Sequence, residues 1–243
     1  MHSLPLSDPD RPHARIRWLD LPGDDERPVR VFVPGAGVGD GAVDYVESAL
    51  HPALSGHRTL LVDLPPPDRA GPGTDPRADP RAASRTDPTP APSIPGAPPT
   101  DIDPTPPSAG PSPTPTATPT TRTPTGADAL AALLDHLALT AVEIIAHGSA
   151  TPAAIVLAEL RPELVGRLIA AAPDLTDHGD TFAALKCPRA FVVGGRNRPA
   201  PEEDLVRAAG VPIVEVLDAG RDLVGDNPAG YAESIAAALL VAR

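Results

Sequence analysis

Short apolar runs bounded by Pro, Gly and Asp alternate along this chain with segments whose apolar residues recur at helical spacing. Residues 29–33 and 59–64 are nearly continuous apolar stretches of strand length, as expected of strands buried on both faces of a parallel sheet. Between them, 42–54 reads as a helix. In 127–139, Leu130, Leu133, Leu134 and Leu137 line one helical face, and a strand over 142–146 follows. Pro152 fits the first turn of a helix running to about Leu160, where no hydrogen-bond donor is lost, and Pro162 marks its end. Strands over 167–172, 190–193 and 213–217, a helix over 202–209 and a closing amphipathic helix over 231–241 complete the pattern. This alternation predicts an α/β fold with a doubly wound, mostly parallel sheet.

The pattern stops between residues 65 and 125. About one-third of that stretch is proline, the rest mostly Thr, Ala, Asp, Ser, Gly and Arg, and Ile94 and Ile102 are almost its only large apolar groups. Proline removes backbone donors, and so little burial cannot offset the entropy of ordering. A disordered, locally extended insert is therefore expected over 65–125, dividing an α/β core into 15–64 and 126–243 behind a flexible N-terminus over 1–14. Such an insert is either an expanded loop without a partner or a docking segment for proline-binding modules. About 180 residues remain without it, enough for one core.

The acids and arginines of the insert nearly balance, so the net charge of −12 belongs to the flanking halves. That charge argues against nucleic acid and anionic membrane surfaces as partners, because phosphate binding needs clustered Lys and Arg. The first ten residues lack the apolar run of a secretion signal, and no stretch of about 18 uninterrupted apolar residues occurs. A cytoplasmic protein of bacterial type is expected, with an unknown small molecule or protein as partner. The single cysteine, Cys187, reads as a small buried hydrophobe. The seven histidines show no metal-binding spacing on one helix, and Gly35, Gly37, Gly39 and Gly41 do not form a dinucleotide fingerprint, so neither metal nor cofactor is expected.

The chemistry-bearing candidate is Ala146, His147, Gly148, Ser149 and Ala150, at the junction of a strand and a helix. It resembles the nucleophile elbow of the α/β-hydrolase superfamily, whose G-x-S-x-G turn needs small residues two before and two after the nucleophile. Ala146 and Ala150 fill the small positions and Gly148 falls on the nucleophile. Three further segments carry the resemblance to the small bacterial esterase-like members. Residues 31–36 resemble the strand and oxyanion loop, 60–65 the following Asp-Leu-Pro segment, and 218–228 the turn that bears the catalytic histidine. The resemblance implies the fold and also degenerate chemistry. Gly148, Asn197 and Arg221 stand at the serine, acid and histidine positions, and Pro34 replaces the histidine of the oxyanion motif. The amides of Ala36 and Ser149 keep the oxyanion positions, since backbone donors do not depend on side-chain identity. The interval 173–188, where members often insert a cap, is short, implying an open and wet pocket.

The resemblance thus implies a non-catalytic pseudo-hydrolase with a binding or regulatory role. A different reading is a weak serine hydrolase in which Ser149 is the nucleophile, His178 the base, and Asp174 or Asp177 its orienting acid; it places His147 and Thr151 where the elbow demands small residues. A third makes the insert the working part of an interaction protein. For Arg221 two roles stand open: a fixed cation for a small carboxylate or phosphate, or a surface arginine paired with Asp222 or Asp226.

Overall fold

The computed structural model describes residues 1–6, 14–35, 41–65, 125–198 and 202–242. Eight strands form one sheet: β1 (His2–Pro5), β2 (Arg15–Leu21), β3 (Arg30–Val33), β4 (Thr59–Asp63), β5 (Val142–His147), β6 (Val165–Ala171), β7 (Arg189–Gly194) and β8 (Ile213–Val216). Their spatial order is β1-β2-β4-β3-β5-β6-β7-β8, and only β2 runs against the others. The helices are α1 (Val46–Ala49), α2 (Gly126–His136), α3 (Thr151–Leu160), α4 (Gly179–Ala184), α5 (Glu203–Ala208), α6 (Leu223–Asp226) and α7 (Pro228–Val241).

The strand pleat sorts the core into two layers. On β5, Ile144 and Ala146 join the layer under α2, α3, α4 and α5, whereas Ile145 joins the layer under α1, α6 and α7. Because both faces are covered, the central strands read as continuous apolar runs. The charges at the start of the parallel strands are paired: Glu143 of β5 accepts from Arg30 of β3 at 3.0 Å and from Arg167 of β6 at 2.6 Å. Helix α2 begins at a capping box, in which Thr125 and Asp128 satisfy each other's backbone amides.

Three expectations are corrected. Residues 1–14 were expected to be a flexible N-terminus, but His2–Pro5 pairs antiparallel with β2, with His2 opposite Trp18 and stacked on it at 5.3 Å. The helix expected over 42–54 is a 3-10 turn, Gly41–Tyr45, followed by the single turn of α1, and Pro52 lies in the turns beyond. The loop expected over 173–188 contains α4, whose Phe182 is fully buried against the sheet. The disordered insert expected over 65–125 lies, from 66 to 124, outside the described residues.

Candidate functional site

The carboxyl end of β5 turns sharply into α3. Gly148 lies at the apex with φ +53°, in the left-handed region, and begins the 3-10 turn Gly148–Ala150. Ala146 and Ala150 on either side are buried, as a turn this tight requires. Gly35, after β3, packs onto the same turn so closely that a Cβ there would meet the His147 carbonyl oxygen at 2.6 Å and the Ser149 nitrogen at 2.8 Å. Only glycine allows that approach. Gly148 is the opposite case: a Cβ built on it meets nothing within 4 Å among the described residues. The apex of the turn faces open space and carries no side chain. Pro34 is buried next to Gly35, and Ala36, expected as an oxyanion donor, lies outside the described residues.

Ser149 is the second residue of the 3-10 turn and is exposed. The loop after β6 comes to this turn, where the Asp174 amide donates to the Gly148 carbonyl at 3.2 Å. The Asp174 carboxylate accepts from the Thr176 amide at 3.1 Å, and the Thr176 hydroxyl together with that amide holds it below the usual carboxylate range, with smaller contributions from Arg221 and His178. His178 is half-buried just before α4; its carbonyl accepts from Phe182 and its side chain makes no capping bond. Asp177 beside it has φ +63°. Asp174 and His178, on the loop after β6, and Arg221, on the loop after β8, therefore lie within electrostatic reach of one another near the elbow.

The loops after β7 and β8 are tied down by charge. Asn197 ends the 3-10 turn Gly195–Asn197 and is half-buried. The next residue, Arg198, binds Glu203 of α5 at 2.9 Å and Glu215 of β8 at 2.6 Å; the Glu203 side chain is 2% exposed and also pairs with Arg207. After β8, Asp222 caps α6 through the Gly225 amide, while Asp226 accepts from the Gly220 amide at 2.6 Å and pairs with Arg196 at 3.0 Å. Both carboxylates offered as partners for Arg221 are thus engaged elsewhere. Arg221 is exposed and, among the described residues, pairs with neither.

Sequence reasoning treated His147 only as a residue of the turn. It is fully buried, on the sheet face opposite α3, with its ring edge-on to Tyr45 and Tyr231. Burial pushes its pKa down to about 4, opposed by the Asp222 carboxylate. The only available signal was composition, since the chain's two tyrosines are the residues that meet it. Among the described residues no group of three or more His, Cys, Asp and Glu is placed to hold a metal, and no helix is long and apolar enough to cross a membrane.

Comparison with known proteins adds the fold. No protein-family model and no curated sequence matches the chain. Solved structures do. A CIB-like hydrolase from Thermoplasma acidophilum is 13% identical, with a TM-score of 0.60 over 93% of this chain and 92% of that one. A thermophilic esterase from Thermogutta terrifontis is 14% identical, with a TM-score of 0.60 over 99% and 98%. A proline iminopeptidase-related protein from Thermus thermophilus is 15% identical, with a TM-score of 0.58 over 98% and 96%. With the strand order above, these likenesses show that the chain has the α/β-hydrolase fold.

Proposed function

We propose that this α/β-hydrolase-fold chain is a pseudo-hydrolase that binds a small ligand at the carboxyl end of its sheet without turning it over. The observation that carries this reading is Gly148: the turn is built, its apex faces open space, and no side chain is there to attack an acyl group. Acyl transfer needs a nucleophile, a base that accepts its proton, and a carboxylate that orients the base. Arg221, at the position the resemblance assigns to the base, stays protonated at any working pH. Losing the nucleophile or the base alone costs on the order of 10⁶ in turnover, and the losses do not add because the residues act as a unit. Residual catalysis by backbone donors, roughly 10³ over water, would be lost in background.

The same geometry suits binding. Arg221, exposed and in no ion pair with Asp222 or Asp226 although the Asp174 carboxylate lies within its electrostatic reach, is suited to a small carboxylate or phosphate. Calorimetric titration with acetate and succinate should give heat with the wild type and none with Arg221→Ala; identical traces would remove the anion from the proposal.

A second reading, a weak hydrolase using Ser149, His178 and Asp174, is favoured by one observation. The Asp174 amide is bonded to the elbow, and its carboxylate lies within the electrostatic reach of His178. Hydrolysis of short p-nitrophenyl esters and labelling by a fluorophosphonate separate the two. The pseudo-hydrolase gives no serine-dependent turnover and no label. Labelling that disappears in Ser149→Ala would establish the hydrolase instead.

A further inference from the structure

Behind the elbow, on the sheet face covered by α1 and α7, lies a polar cluster that neither reading uses. His147 is 2% exposed, Tyr45 1% and Tyr231 0%. The imidazole centroid is 5.7 Å from the Tyr45 ring and 6.2 Å from the Tyr231 ring, and the two phenols are 6.1 Å apart. Interplanar angles of 69°, 73° and 79° make all three contacts edge-to-face. Yet both imidazole nitrogens and both phenol oxygens lack a hydrogen-bond partner among the described residues. Folded proteins leave only a few buried polar groups unpaired per hundred residues, and here four fall on three touching side chains.

The charge states define what could pair with them. Burial keeps the imidazole neutral and pushes both phenols well above their ordinary range, helped at Tyr45 by Asp222 and Asp44 and at Tyr231 by Tyr45. A neutral imidazole offers one donor and one acceptor, and each phenol offers both functions. Rings already in edge contact leave no room for a large molecule. The surrounding apolar layer, including Phe32, Leu61, Ile145 and Ile169, disfavours a charged one, and the Asp44 and Asp222 carboxylates disfavour an anion in particular.

We infer that His147, Tyr45 and Tyr231 form a second site, behind the elbow, that takes an uncharged hydrogen-bonding guest of about the size of a water molecule. The guest joins the residue before Gly148 to α7 and to the turn that leads into α1. These three are positioning residues: they fix the elbow from behind and do not meet a ligand at its front. The inference stands whether or not the elbow is catalytic.

Tyr45→Phe and Tyr231→Phe each remove one hydroxyl and keep the ring. If a guest is held, each variant melts lower than wild type, by about 2–4 °C for one net hydrogen bond in a chain of this size. In the wild-type protein, long-range ¹⁵N NMR at pH 7 should show a single His147 tautomer, and its ring N–H should give a cross-peak to a long-lived water. Phenylalanine variants that melt at or above the wild type would overturn the site, because deleting a truly unpaired hydroxyl relieves its burial. A His147 ring that samples both tautomers without contact to water would overturn it too, even if neither variant folds.

Discussion

Two regions at the carboxyl end of the same sheet hold their shape by opposite means. At the β5–α3 turn the backbone sets the shape: Gly35 lies against the His147 carbonyl and the Ser149 amide, Gly148 takes a left-handed φ, and the N-cap residue His147 makes no side-chain cap bond. At the ends of β7 and β8, side-chain charge does the holding. Arg198 bridges Glu203 and Glu215, Arg196 meets Asp226, and Asp222 and Asp226 bind the amides of Gly225 and Gly220. A sharp turn is an architectural demand whatever side chain it carries, because the sheet has to pass from strand to helix there. Acid and base positions carry no such demand. At the ends of β7 and β8 the chain uses its carboxylates as caps and counter-ions.

The largest effect should come from crowding the second region. Gly194 ends β7, and a Cβ there would meet the Gly220 carbonyl oxygen at 2.0 Å and that of Ala219 at 2.6 Å, both backbone atoms that no rotamer can clear. Gly194→Ala should cost about 3 kcal/mol or more, lowering the melting temperature by roughly 10 °C or preventing folding. A melting temperature close to that of the wild type would mean that the β7 and β8 loops yield easily and are not the clamped region described above.

The next effect belongs to the elbow's rear. His147 is held neutral in the fold, with its pKa pushed from an ordinary 6.5 down to about 4 by burial. The unfolded chain therefore takes up the proton first. This group leaves stability untouched above about pH 6.5, lowers it progressively as the pH falls toward 4, and has no further effect below that; the full loss is on the order of 3 kcal/mol. Urea unfolding at pH 7, 6 and 5 should show a steeper fall for wild type than for His147→Phe. Equal slopes would show that the imidazole is not sealed in and that the turn is looser than its backbone packing implies.

Most of the sheet was legible in the sequence, for a physical reason. Strands β3 to β7 are covered on both faces, so burial selects apolar residues along most of their length, while the edge strand β8 is only half-buried over Ile213, Val214 and Glu215. At the other end of the sheet, the edge strand β1 buries none of its residues and β2 buries alternate ones. In β2 only Ile16 and Trp18 are buried, alternating with the exposed Arg15 and Arg17, and β1 contains a proline. The elbow was legible because a sharp turn needs small residues at fixed offsets, and Ala146, Gly148 and Ala150 keep that spacing. The cluster behind it was not, because Tyr45, His147 and Tyr231 are brought together only by the packing of α7 and the turn before α1 against β5. The ionic clamp around Glu203 was hidden similarly: its arginines lie on a loop and a helix, and nothing in the local pattern distinguishes a buried glutamate from a solvated one.

The smallest effect tests the openness of the turn itself. A residue with a Cβ pays about 1–2 kcal/mol for the left-handed conformation, and at Gly148 no atom of the described residues lies within 4 Å of the new carbon to add to that cost. Gly148→Cys should therefore fold, with a modest drop in melting temperature, and its thiol should stand free at the start of α3, where the helix amides favour the thiolate. Cys187 is an internal reference, since burial pushes its thiol pKa up and it is only partly accessible. At pH 7, iodoacetamide should alkylate the introduced thiol at least about ten-fold faster than Cys187, because the thiolate is the reacting species. Equal rates would mean that the apex is covered. The contrast between an open, side-chain-free turn and the charge-clamped loops beside it would then fail at its first term, and with it the place proposed for the ligand.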